Sequence, residues 1–304
     1  MCGLFGMILP HRYPTDLLHR GQALSYLGEL AEERGPDAAG IAARFTHPLP
    51  EPDRWLLEKT SGPFRRLSRT GWLAGRLMTA TTALGHTRWA TQGSLTLTNA
   101  SPACAGHLYC THNGDLDIDT IPHRPHNLPT ACTDSAVLFA ALATAHRSRV
   151  NVRRLETILS QMQGRAALAW ADTRDETGRV WLARAGLSPL AIARDVDGGL
   201  WWASNPAWLR KLSTAFALPL RSIDLLPEGT LLSASPLQAS VRVQVRARFK
   251  PTIRARDQRL LPGAVWRNFT SNDRHNDLAV MRHRVIPRPA HPDDLAVRYP
   301  ARAR

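Results

Sequence analysis

The feature that most constrains what this chain can fold into is a change of hydrophobic period at Gly164. Before it, apolar residues recur at helical spacing over 15–33 (Leu17, Leu24, Leu27, Leu30, Ala31), over the Ala/Leu-rich run 134–146, and over 151–162 (Val152, Leu155, Ile158, Leu159, Met162). After it, the runs AALAWAD, RVWLARA, PLAIARD and GLWWAS are short and strand-like. Turn signals at Asp175-Glu176-Thr177-Gly178 and Asp197-Gly198-Gly199 separate them. This pattern predicts an antiparallel meander whose alternation persists through Val241, Val243, Val245 and Phe249 and then fades. In the first half, strand-like runs stand at 2–9, 79–86 and 106–112, while the Pro-rich, charged stretch 46–70 reads as an exposed hairpin or loop.

The 304 residues, 43% of them hydrophobic, suffice for one large or two modest domains with a real core. The net charge of +14 is unevenly spread: residues 242–304 hold fifteen Lys or Arg against five Asp or Glu, which leaves only +4 for the rest. The reading is therefore a domain at 2–250 and a basic, partly disordered tail at 251–304. The apolar start lacks a basic leader and stops at Pro10, and no apolar run reaches the length of a membrane helix, so the chain reads as a cytoplasmic, soluble protein with no membrane partner. Cys2, Cys104, Cys110 and Cys132 are too sparse for a disulfide scaffold, and reduced thiols are expected.

Cys2 stands one residue from the amino terminus in Met1-Cys2-Gly3-Leu4-Phe5-Gly6. Removal of Met1 would give it an α-amine of its own, with a reference pKa of about 7.7–8.0, able to take the thiol proton near neutral pH. The competing reading is a cysteine opening a buried strand. In GHTRWATQG (85–93), Arg88 offers a planar fork for a carboxylate and Thr91 a hydroxyl three residues on, or else a strand simply ends there. In THNGDLD (111–117), Asn113 and Gly114 on a tight turn could aim an amide and a backbone N–H at one oxyanion; Asn-Gly is also the commonest hairpin signal. Asp134 in CTDSAVL starts a helix, as its N-cap or as a holder of an ammonium group. Arg34 and Asp37 lie in the turn RGPDAAG. Cys104, His107, Cys110 and His112 could be written as a zinc set, but their spacing suits a strand, and neither a phosphate-binding loop nor a dinucleotide fingerprint is present.

The order of these motifs, ending in ARAGLSPLAIARD and ASN, resembles the class II glutamine amidotransferase domain over residues 2–245. The resemblance implies an α+β fold, a four-layer αββα sandwich of the N-terminal-nucleophile hydrolase type. It implies Cys2 as nucleophile with Arg34 nearby, Asn113 and Gly114 as oxyanion hole, Arg88, Trp89 and Thr91 around the substrate α-carboxylate, and Asp134 with Gly114 at the α-ammonium. It calls for L-glutamine as substrate and for no cofactor or metal. Two departures flank the pocket: Gln92 where family members often have histidine, and Asn99-Ala100-Ser101-Pro102 where they have Asn-Ala-His-Pro. The family's usual acceptor domains do not fit after residue 250, so ammonia is expected to pass to a separate enzyme subunit. The alternatives are cleavage of another γ-glutamyl amide, or a retired domain whose tail binds a partner or nucleic acid. The tail's few aromatics, Trp266, Phe269 and Tyr299, argue against nucleic acid.

Overall fold

The computed structural model describes residues 2–13, 17–45, 54–69, 71–89, 96–125, 132–254 and 257, with Leu17 and Leu18 as backbone only. In chain order the elements are β1 (Gly3–Ile8), α1 (Leu17–Ala31), β2 (Ala38–Phe45), β3 (Trp55–Ser61), α2 (Arg65–Ser68), α3 (Trp72–Leu77), β4 (Ala80–Arg88), β5 (Ala103–Ala105) and β6 (Leu108–Leu116). There follow α4 (Asp134–Thr144), α5 (Val152–Gln161), β7 (Gly164–Asp172), β8 (Val180–Gly186), β9 (Ala191–Asp195), β10 (Leu200–Ala203), α6 (Pro206–Ala215), β11 (Leu220–Leu225), β12 (Thr230–Pro236) and β13 (Val241–Arg248).

The strands form two antiparallel sheets, ordered β11-β9-β10-β1-β4-β2-β3 and β13-β12-β8-β7-β6-β5. Three apolar clusters explain why the sheets stack. Phe5, Met7, Leu24, Leu27, Leu73, Trp208 and Leu212 join α1, α3 and α6 to the outer face of the seven-stranded sheet. Leu138, Leu142, Leu155, Leu159, Leu168 and Trp170 join α4 and α5 to the outer face of the six-stranded sheet. Leu4, Ile8, Leu84, Ala167, Ala169, Leu182 and Leu232 come from both sheets and fill the layer between them. Each central strand is thus covered on both faces, as β1, β4 and β7 show by being buried at every position. At about 1.5–3 kcal/mol for each large apolar side chain removed from water, these layers dominate the folding free energy.

Several sequence expectations change. Part of the stretch expected as an exposed hairpin is β3, an edge strand half-buried against β2, followed by the short α2; residues 46–53 and 70 lie outside the described ones. The expected meander divides, because β7, β8, β12 and β13 belong to one sheet and β9–β11 to the other. Between β10 and β11 in the chain stands α6, which the sequence reading overlooked despite its start signal: the Asn205 side chain caps Ala207 N at 2.9 Å and Pro206 takes the first turn. The chain also stays on the core past residue 250, since Thr252 bridges Gln163 and Arg254 binds Asp115. The tail from 258 onward lies outside the described residues.

Candidate active site

In the antiparallel pair β1–β4, Gly3 stands opposite Thr87 and Leu4 opposite His86. Leu4 and Leu84 face the layer between the sheets, so strand alternation puts Cys2, His86 and Arg88 on that same face. Backbone bonds then lock the neighbourhood. Arg34 Nε donates to the Cys2 carbonyl at 3.0 Å, Thr87 Oγ1 to the Ala31 carbonyl at 2.6 Å, and Asp37 N to the Arg88 carbonyl at 3.0 Å. Gly35 permits this closure, because a Cβ there would fall 2.3 Å from the Arg88 carbonyl carbon and 2.4 Å from Trp89 N.

The Cys2 thiol is partly exposed, with its sulfur 3.9 Å from the Trp89 carbonyl. Burial pushes its pKa up, but the charge and hydrogen bonding of His86, the amino terminus and a hydrogen bond from the Trp89 backbone more than offset this and bring it down to about 7. Burial lowers the Arg34 guanidinium to about 10, with Cys2 opposing that shift and Arg165 adding to it. His86 is 2% exposed; its Nε2 lies 3.0 Å from the His112 carbonyl oxygen and donates to it, and its Nδ1 has no partner within hydrogen-bond geometry, so its influence on the thiol is chiefly electrostatic.

The opposite wall comes from the six-stranded sheet. Asn113 and Gly114 are not on a tight turn: they lie inside β6, paired with Ala167 and Ala166 of β7. Asn-Gly favours a hairpin locally, but nine consecutive pairs with β7 hold the segment extended. Gly114 is required by space, since a Cβ there would meet the Arg165 carbonyl oxygen at 2.1 Å and His112 Nε2 at 2.2 Å. Asn113 is fully buried on the inter-sheet face, and neither Nδ2 nor Oδ1 has a hydrogen-bond partner. The N-cap of α4 is Thr133, whose Oγ1 accepts from Ala136 N at 3.2 Å, and not Asp134. The Asp134 carboxylate instead accepts from Leu116 N at 3.0 Å and Ser135 N at 2.7 Å. Ser135 Oγ lies 2.9 Å from His112 Nδ1. Burial holds the His112 pKa below its usual value against the pull of Asp134, and His86 and Arg165 add to the lowering, so His112 is neutral at pH 7.

Between the walls lies a pocket of about 90 Å³ lined by Cys2, His86, Arg88, Trp89, His112, Gly114, Asp134 and Ser135, among others. Of the residues singled out from the sequence, the structure brings Cys2, Arg88, Trp89, Gly114 and Asp134 to this one pocket. Arg34 sits behind the Cys2 backbone and Asn113 behind Gly114, and neither lines it. Thr91 and Gln92 lie outside the described residues. The departing stretch contributes Asn99 and Ser101 to the rim. Sequence reasoning missed His86, which strand alternation from Arg88 could have found. It also missed Arg165, 6% exposed and within electrostatic reach of Arg34 and His112, for which only an arginine opening an apolar strand was visible. Among the described residues no group of three His, Cys, Asp or Glu is arranged to hold a metal ion, and no helix is long and apolar enough to cross a membrane.

No protein-family model matches the chain. Relatives exist in the glutamine–fructose-6-phosphate aminotransferases: that of Chlamydia caviae is 29% identical over 238 residues, 76% of this chain and 35% of the relative. That of Aquifex aeolicus is 38% identical over 119 residues, 38% of this chain and 18% of the relative. The chain spans about a third or less of the length of these relatives. Among solved structures, glutamine phosphoribosylpyrophosphate amidotransferase from B. subtilis superimposes with a TM-score of 0.59 at 18% identity, over 85% of this chain and 52% of that one. The allosteric regulatory enzyme of purine biosynthesis gives 0.58 at 19% identity. The chain therefore shares its fold with these two solved structures, and together the likenesses support a glutamine amidotransferase-like domain.

Proposed function

We propose that the chain is a glutaminase that hydrolyses L-glutamine to glutamate and ammonia through a γ-glutamyl thioester on Cys2. The observation that carries this reading is the pocket itself: a thiol with a pKa of about 7, a buried arginine and an anchored carboxylate open onto one cavity. Arg88 takes the substrate α-carboxylate and Asp134 its α-ammonium, so the amino acid spans the two walls with its side chain turned toward Cys2. With Met1 removed, the Cys2 α-amine accepts the thiol proton as sulfur attacks the amide carbon. The tetrahedral oxyanion is met by the Gly114 N–H and by the Asn113 amide, whose buried polar atoms have no partner and which must turn toward the pocket it does not line. The amide nitrogen takes the proton and leaves as ammonia, and water, deprotonated by the same amine, cleaves the thioester to release glutamate.

The ammonia passes to an acceptor enzyme on a separate polypeptide. The reading is tested by glutamate and ammonia release from L-glutamine by the full-length protein beside a panel of other γ-glutamyl amides. Glutamine should be the best substrate, and faster turnover of another amide would move the assignment to that amide. A pull-down with the active protein should recover the acceptor.

A further inference from the structure

Three consecutive residues at the end of β6 carry the second wall. Gly114 faces the pocket, Asp115 follows it, and Leu116 N donates to the Asp134 carboxylate. The middle residue of the three is held from outside the sheet. Arg254 Nη2 donates at 2.8 Å both to the Asp115 backbone carbonyl and to its Oδ2. Arg254 Nε donates to Asp257 Oδ2 at 2.5 Å, and Asp257 N returns a bond to the Arg254 carbonyl at 2.9 Å. The Arg254 side chain is only 9% exposed and that of Asp257 3%, while Asp115 keeps 28%, so the clamp is closed on the Arg254 side and open to solvent on the Asp115 side. The same segment is fixed to the end of α5 and the start of β7: Thr252 Oγ1 donates to the Ser160 carbonyl at 2.8 Å and Gly164 N to the Thr252 carbonyl at 3.0 Å.

We propose that Arg254 is a positioning residue for the glutaminase site, fixing the Gly114-Asp115-Leu116 backbone so that the oxyanion donors and Asp134 keep their places. This rests on the glutaminase reading above. The physical case is one of leverage. Arg254 grips the one residue between the oxyanion N–H and the N–H that anchors Asp134, and a displacement of about 1 Å at such a place can cost about 10²-fold in rate. It binds backbone as well as carboxylate, so a planar fork serves where a point charge would not. A residue that would read as the start of a dispensable tail is thereby tied to turnover.

The test uses point variants of the full-length protein. Arg254→Ala should lower kcat about tenfold to a hundredfold, Arg254→Lys should recover part of it, and Asp115→Asn with Arg254→Ala should be no worse than Arg254→Ala alone. Alkylation of Cys2 by iodoacetamide should proceed at the wild-type rate, since the first wall is untouched. Hydrogen exchange should quicken over 111–117 and stay unchanged over β1. A wild-type kcat in Arg254→Ala, additive effects of the two substitutions, or a parallel loss of Cys2 reactivity would each overturn the proposal. Should Arg254→Ala fail to fold, Arg254→Lys with the same exchange measurement decides: unchanged protection at 111–117 and unchanged kcat contradict the clamp. If the wild type releases no ammonia from glutamine, the functional reading fails while the exchange comparison still tests the clamp.

Discussion

The two walls of the pocket are built on opposite terms. On the seven-stranded side, the backbone around the nucleophile is bound at nearly every turn: Cys2 by Arg34, Thr87 by Ala31, Arg88 by Asp37, Leu4 by Ser204. On the six-stranded side, Asp134 is anchored, but the Asn113 amide is buried with no partner and His112 Nε2 has none either. An unpaired buried polar group costs about 1–3 kcal/mol. Three such atoms, those of Asn113 and His112, stand on the six-stranded wall, where the proposed oxyanion would form, against His86 Nδ1 beside the thiol. The wall proposed for the oxyanion is thus the one left more open to completion by a ligand.

The sharpest way to break this contrast is to remove the thiol. Cys2→Ala should abolish ammonia release while the melting temperature stays close to wild type, because alanine fits a small, partly exposed site; glutaminase assay and calorimetry check both. On the other wall, Asn113→Ala should lower kcat by about 10²–10³ and leave KM little changed, since the amide acts on charge that develops in the transition state. Stability should not fall as it would for a well-bonded buried asparagine, for no hydrogen bond is lost. Normal turnover in Asn113→Ala would return the segment to a purely structural role. Arg88→Ala should raise KM by roughly thirtyfold or more, equivalent to about 2 kcal/mol, with a smaller change in kcat.

The smallest expected effect is in pH dependence. The thiolate is the reactive form and exists above the thiol pKa, so kcat/KM should rise with pH through about 7 and be lost below it. The groups facing this thiol are His86, Arg34 and the amino terminus, with His112 beyond His86. His86→Gln removes the largest lowering influence and should move the inflection to higher pH with little change in the plateau. An unmoved profile would show that the α-amine alone sets the reactivity.

The same division governs what the sequence revealed. Cys2, Arg88 and Asp134 were readable because each lies in a short motif whose chemistry is local. Helices α1, α4 and α5 were readable from period alone. What was misread depends on partners far along the chain. Gly114 looked like a turn residue because Asn-Gly favours one locally, yet β7, some fifty residues on, holds it extended. Alternation marked β8 and β9 as strands but carried no information on which sheet each would join. β3 has one neighbour and a half-exposed face, so its apolar signal was thin. Arg254 and Asp257 sat among arginines and aspartates of a basic stretch, and only the fold shows that Arg254 closes on Asp115 with Asp257 held behind it.

The claim at the centre is that Cys2, freed at the amino terminus, is the nucleophile of this pocket. Intact-mass analysis and peptide mapping after treatment with the glutamine analogue 6-diazo-5-oxo-norleucine test it directly. The expected result is a protein lacking Met1 that gains one adduct, located on Cys2, with excess L-glutamine protecting against it. An adduct on exposed Cys104, or on Cys110 or Cys132, with Cys2 unmodified would contradict it.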